Sequence, residues 1–390
     1  MLLPLANAPR DYAWGSATLL AGLEGRAPSG RPEAEVWFGD HPGDPADVGD
    51  GSGRTLDRWL AEEGAAAGAG IRLPYLLKLL AAERPLSIQA HPSRAQAEAG
   101  FAREDAAGVP RDAAHRNYRD ANHKPELIVA LSAAFHALAG LRDPAATGRL
   151  LAGLGDAPGV RALRERLDGA DAARLGAIVP WLLSADAAET VSDVLAALPA
   201  ATSAEFAGEL AVARRLAHGA PGDAGVVVAL LMNLLTLHRG EGLFVPAGVL
   251  HAYVDGLGVE LMAASDNVLR GGLTPKHVDV DELARVLDAT PGLPAVLHAA
   301  PVAGATGDVA AYPVPVPDFE LVRVRVAAGS PVAFVPRGTA IALAVDGEAA
   351  VRQGDDERVL VSGQAVLATP STLPLVVRGA GEVFVAQPGR

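Results

Sequence analysis

Gln89, His91, Glu126 and His251 are the side chains of this sequence best able to share one metal ion. They lie in three separated segments, Pro85–Ser93 (PLSIQAHPS), Asn122–Ser132 (NHKPELIVALS) and Gly240–Asp255 (GEGLFVPAGVLHAYVD). Two neutral imidazoles, an amide oxygen and one carboxylate form a mixed N/O set with a single negative charge. A dication held there keeps about one positive charge, enough to polarise an oxygen on a bound molecule. The set predicts Lewis-acid chemistry.

The local pattern says how each ligand would be aimed. If Leu86–His91 is a strand, Ser87, Gln89 and His91 point to one side and Leu86, Ile88 and Ala90 to the other. Gln-x-His alone is a weak signal and equally suits an exposed strand with one core face. Glu126 opens the run ELIVAL (Glu126–Leu131), which is apolar on both faces and therefore predicted to be buried. A carboxylate there is costly unless it binds a cation, pairs with Lys124 or sits at a wet strand end. The third segment is more specific: Gly240, Pro246, Gly248 and His251 have the spacing of a cupin motif. In that motif Gly and Pro turn the chain between two barrel strands and the His points inward. Tyr253 and Asp255 are expected to face the same cavity.

Downstream, Glu260–Lys276 (ELMAASDNVLRGGLTPK) concentrates Glu260, Asp266, Arg270 and Lys276. A surface loop of ion pairs would have this composition too. Arg270 followed by two glycines, which let backbone approach a ligand, favours an anion or oxyanion site.

The 390 residues suffice for two or three domains, and half are hydrophobic. No apolar run approaches the ~20 residues of a membrane helix. The N-terminal residues lack the basic leader of a signal peptide, so a cytoplasmic protein is expected. Cys is absent, which excludes disulfides, thiolate ligands and a cysteine nucleophile. A net charge of −13 argues against nucleic acid or an anionic membrane as partner. An anionic substrate would need a local cluster of Lys and Arg, and one lies beside the metal motifs.

The texture is mainly β with an α-helical insert. Short extended runs such as EVWFG (Glu35–Gly39) and LPYLLKLL (Leu73–Leu80) fill residues 1–142, with helix at Thr55–Gly64 and Arg94–Ala102. Residues 143–222 are Ala-, Leu- and Arg-rich and helical, with Asp186–Glu189 and Thr202–Glu205 reading as capping boxes. Strand texture returns over Val226–His251 and Gly256–Met262. After a linker at Pro313–Pro317, a β unit over 312–390 shows strands at Phe319–Val326 and Ile341–Val345, with turns at Asp346–Gly347 and Gly354–Asp355. The expected units are therefore 1–142 with 223–311, a helical 143–222, and 312–390, the last without any His and so unable to repeat a histidine metal site.

Five motifs then carry a resemblance: Pro32–Pro42 (PEAEVWFGDHP), Leu73–Pro92, Asn117–Leu127 (NYRDANHKPEL), Val245–Tyr253 (VPAGVLHAY) and Ser265–Lys276 (SDNVLRGGLTPK). In this order they closely resemble the type I mannose-6-phosphate isomerases, over about 1–142 and 225–285 most strongly. The resemblance implies two cupin (jelly-roll) domains plus a helical one, one Zn²⁺ per chain, and interconversion of mannose 6-phosphate and fructose 6-phosphate through a cis-enediol(ate). It places the zinc ligands on Gln89, His91, Glu126 and His251. Arg270 falls on the family's active-site arginine, and Ser87, Lys124, Tyr253, Glu260, Asp266 and Lys276 line the cavity. Chemically, Lys124, Glu260 and Asp266 can all serve as the base, while Ser87 and Lys276 suit the phosphate. His136 stands where the family has an acidic residue, and Leu141 where it has an aromatic, which affects local packing only. A free sugar phosphate is the expected partner and a monomer the expected state. A dioxygen-using cupin oxidoreductase and a non-catalytic sugar-binding bicupin are the rival readings; neither explains Lys124, Arg270 and Lys276 together.

Overall fold

The computed structural model describes residues 1–390. Twenty β-strands set the architecture, and the helices are gathered largely in one stretch. The 13-residue strand His251–Ala263 organises the site because two antiparallel sheets share it. Its first half pairs with Gln89–Ala90 and Ala134–Leu141, which in turn pair with Leu269–Arg270 and Met232–His238. Its second half lies between Tyr75–Ala82 and Glu126–Ala130, and the same sheet continues through Glu35–Phe38, Gly242–Val245 and Val296–Leu297. The strand changes sheet at Gly256, whose φ of +123° favours glycine and where a Cβ would lie 2.6 Å from the Phe135 ring.

Packing follows the sequence pattern. Leu80, Ile128, Ala130, Phe135, Leu243 and Val245 fill the space between the two sheets. The opposite face of the sheet containing Tyr75–Ala82 and Glu126–Ala130, with Leu77, Leu79, Leu127 and Val129, packs against Leu3, Leu5, Ile341, Leu367 and Phe384 of a third sheet. Both faces of Glu126–Ala130 are therefore covered, as its unbroken apolar run predicts.

The third sheet redraws the expected unit boundaries. It includes Leu2–Ala6, which pairs with Ala365–Ala368, and also Asp47–Val48, Ala300–Pro301 and Asp308–Ala311. The first strand belongs there because its alternation serves two cores, Leu2 inside the third sheet's own cluster and Leu3 and Leu5 at the seam. Pro313–Pro317 consequently runs inside this unit, between Asp308–Ala311 and Glu320–Val326, and does not lead into it. Asp346–Gly347 is not a turn but lies within the strand Ala340–Gln353, paired with Glu382 and Gly381 just after a register shift between Ala344 and Asp346, whereas Gly354–Asp355 is the expected hairpin turn.

Residues 144–230 form helices that cover the outer face of the sheet containing Ala134–Leu141 and the first half of His251–Ala263, through Leu138, Leu141, Ala252 and Val254. Val226–Leu230, a β-branched run expected as strand, is instead helical within Gly225–Leu230 and buried throughout, so packing among helices overrides its propensity. Neither expected capping box forms. The helix Ala188–Ala197 has no side-chain cap, and Glu205 pairs with Arg149 at 2.7 Å while Ser203 accepts from the Phe206 amide. A complete capping box stands instead at Ser93 and Gln96, opening the helix Arg94–Ala106 directly after the His91 segment. No helix is long and apolar enough to cross a membrane.

Candidate metal centre

His91 and His251 are fully buried, and their Nε2 atoms lie 3.1 Å and 3.2 Å from the two oxygens of Glu126. One ligand atom from each of the three residues falls within 4.8 Å of the others. Neither Nε2 makes a hydrogen bond despite these distances. Each Nδ1 faces a backbone carbonyl, Asn267 O at 2.7 Å for His91 and Val249 O at 3.1 Å for His251. A carbonyl only accepts, so Nδ1 carries the proton and Nε2 keeps a free lone pair. Two buried lone pairs converging on a carboxylate fit a dication.

The electrostatics keep the set in its ligating form. Burial, followed by the Lys124 ammonium, pushes His91 down to about 4. Burial alone would raise the Glu126 carboxyl, but Lys124 and the two histidines hold it well below the usual range. Lys124 Nζ lies 2.9 Å from Glu126 Oε1, so the pairing read from the sequence as an alternative to metal is present alongside the imidazoles.

Gly248 joins the His91 and His251 segments. Its amide donates to His91 O at 2.8 Å, its φ is +81°, and a Cβ there would come within 2.8 Å of Val286 O. Only glycine meets all three conditions. Gln89 is directly opposite His251 on one side and Arg270 on the other. Its neighbours Ile88 and Ala90 are buried in the core on the opposite face, as alternation predicts.

Arg270 and Lys276 form no ion pair. Burial lowers the affinity of each for its proton; Arg119 adds to this at Arg270, and Arg270 and Arg119 add to it at Lys276. Arg119 was not among the residues expected at the site, although it lies in the Asn117–Leu127 motif as a cation five residues before Lys124. The Asp266 carboxylate contacts His41, 3.1 Å away, while its backbone amide donates to Asp120. Burial opposes ionisation of Asp266, while His41 first and then Lys124 and Arg119 hold its carboxyl low. Ser87 is half-buried two residues before Gln89.

Three expectations are redirected. Glu260 is buried against Lys78 at 3.1 Å, a lysine missed in the sequence although it stands alone in the apolar run LPYLLKLL. Tyr253 is also buried, with its hydroxyl 3.5 Å from Glu126 Oε2, a placement that supports the carboxylate and leaves no open face for substrate. Asp255 leaves the cavity altogether. A bulge between Tyr253 and Asp255 breaks the alternation, and Asp255 instead contacts His136 at 2.7 Å and Arg215 of the helical segment.

Fold and site together define a β protein that binds a dication through nitrogen and oxygen donors, beside cations free to meet an anion. Residues 2–144 match the family described as phosphomannose isomerase type I, catalytic domain. The chain is 36% identical to mannose-6-phosphate isomerase of Salmonella typhimurium, with 97% of each chain covered, and 32% identical to the human enzyme of that name, covering 98% of this chain and 93% of the other. Among solved structures it is similar, with a TM-score of 0.88, 33% identity and full coverage of both chains, to mannose 6-phosphate isomerase bound with zinc and yttrium. A Salmonella typhimurium structure of that isomerase, bound to substrate and zinc, gives the same values. The chain belongs to the mannose-6-phosphate isomerase family.

Proposed function

We propose that the chain is a zinc-dependent aldose–ketose isomerase that interconverts mannose 6-phosphate and fructose 6-phosphate. It is built from two cupin-type jelly rolls and a helical unit, and acts as a cytoplasmic monomer on the free sugar phosphate. The observation that carries this reading is the convergence of His91, Glu126 and His251 in a buried cluster next to Lys124 and unpaired cations. His91 Nε2, His251 Nε2, a Glu126 oxygen and the Gln89 amide oxygen would hold the zinc. When bound, the ion supplies Lewis acidity toward the oxygens at C1 and C2.

The remaining roles belong to the chain itself. Isomerisation moves a proton between C1 and C2 through a cis-enediol(ate), so a base must reach carbon and fixed positive charge must meet the developing oxyanion. Arg270, beside Gln89 and without a carboxylate partner, supplies that charge. Ser87 and Lys276 take the phosphate. Among the candidate bases, Glu260 is enclosed with Lys78, whereas Lys124 lies over Glu126 and Asp266 is half-exposed within its field. Lys124 and Asp266 are thus the acid–base pair, and Glu260 holds the framework.

A coupled assay on mannose 6-phosphate, run with metal analysis, tests the reading. Turnover that disappears with a chelator and returns with zinc is expected. Full zinc occupancy without turnover would leave a sugar-binding protein instead, and oxygen consumption with bound iron would favour the oxidoreductase.

A further inference from the structure

Asp318 belongs to the third sheet's unit, one residue before a fully buried Phe319 and at the end of the rigid Pro313–Pro317 run. It does not serve that unit. Its Oδ2 lies 2.8 Å from His123 Nε2, and its Oδ1 lies 3.1 Å from Arg94. Asp318 is only 8% exposed and the His123 side chain 17%, so that contact is largely sheltered from water and from salt, whereas the Arg94 guanidinium is half-exposed. The two partners are telling. Arg94 stands three residues after the ligand His91, and His123 stands three residues before the ligand Glu126 and immediately before Lys124. Asp318 therefore ties the start of the helix that follows His91 to the segment that leads into Glu126 and carries Lys124. Nothing else in its own unit needs a charge at this position, because the surrounding seam is apolar.

Resting on the isomerase reading above, we infer that Asp318 is a positioning residue for the reaction: by holding the His123 imidazole it fixes Lys124 over Glu126. The third sheet's unit thereby contributes to turnover without touching substrate. A carboxylate accepts hydrogen bonds only, so His123 presents a protonated Nε2 to it and the ring has one orientation. With the His123 ring held, the chain at the adjoining Lys124 has less freedom to move, and Pro125 restricts it further. Lys124 Nζ is then delivered 2.9 Å from Glu126 Oε1. Release of His123 would let the ammonium wander while the metal ligands, held by Asn267, Val249 and Gly248, stay in place.

The experiment compares Asp318→Ala and Asp318→Asn in the full-length, zinc-loaded protein, measuring kcat, KM for mannose 6-phosphate, zinc content and thermal midpoint. Asp318→Ala is expected to lower kcat ~10- to 100-fold, the scale of a misplaced group near the chemistry, with KM and zinc content unchanged. Asp318→Asn keeps the volume and an acceptor for His123 and is expected to restore most of kcat. Wild-type kcat in both variants, or a fall in kcat that tracks zinc loss or lowered thermal stability, would overturn the positioning role while leaving the isomerase reading intact. A wild-type protein that binds zinc but does not turn over mannose 6-phosphate would overturn both.

Discussion

The backbone carbonyl of Asn267 accepts the Nδ1 proton of His91 at 2.7 Å. That carbonyl is held by its own buried side chain, whose Nδ2 donates to Asp120 O and Asn122 O at 2.8 Å each and whose Oδ1 accepts from the Arg119 amide at 2.7 Å. Asn267→Ala removes these ties and should weaken zinc binding ~10- to 100-fold by chelator competition, the usual cost of loosening a ligand's outer support. Unchanged affinity would show that His91 is oriented without Asn267.

His251→Ala removes one of the two orphaned Nε2 lone pairs. Zinc content, measured on the dialysed protein, should fall toward zero, and isomerase activity should go with it. A variant that retains a full equivalent of zinc would contradict the ligand assignment.

Arg270→Ala should keep its zinc and lose ~10²- to 10³-fold in kcat, the cost of removing one preorganised partner for an oxyanion. Arg270→Lys should recover only part, because an ammonium cannot reproduce the guanidinium fork. Wild-type kcat in Arg270→Ala would remove this residue from the chemistry.

The clustered residues His91, Glu126 and His251 were legible in the sequence because each had a local reason to be noticed: an alternating polar face at His91, a carboxylate heading a doubly apolar strand at Glu126, a Gly–Pro–Gly turn ahead of His251. What sequence periodicity could not supply was long-range pairing. Leu2–Ala6 reads as a strand, but nothing local says that its partner is Ala365–Ala368. Asp255 reads as facing inward until a bulge reverses it, and Val226–Leu230 reads as strand until neighbouring helices bury it. Lys78 and Asp318 escaped notice for the same reason, since the groups that give them meaning are remote in the chain.

The metal-free protein should lose stability as the pH falls. His91 has a folded value of about 4 against 6.5 when exposed, so the unfolded chain takes up its proton first. Stability from keeping this imidazole neutral is fully present above about 6.5 and is lost progressively toward about 4, amounting to at most about 3 kcal/mol. Glu126, also held low, adds the same sign in the acid range. Urea midpoints of the chelator-stripped protein across this window measure it. A flat profile would mean that His91 is not buried in its neutral form.

Lys78 tests the enclosed charges behind the site. Its Nζ lies 3.4 Å from Glu35 and 3.1 Å from Glu260, and the ammonium sits 4.9 Å from the centre of the Trp37 ring, whose Nε1 donates to Glu35 at 3.0 Å. Burial works against the lysine's charge, yet Glu260 and Glu35 outweigh it and raise its affinity for the proton; burial raises Glu260 in spite of Lys78. Lys78→Met keeps the apolar stem but leaves two buried carboxylates without the cation they share. Such removal of one partner costs about 3–5 kcal/mol, read as a lowered urea midpoint. Lys78→Met with Glu260→Gln should recover part of the loss, because one uncompensated charge then disappears. If Lys78→Met alone unfolded at the wild-type midpoint, the two carboxyls would have to be neutral in the folded protein, and the framework role given to Glu260 would fall.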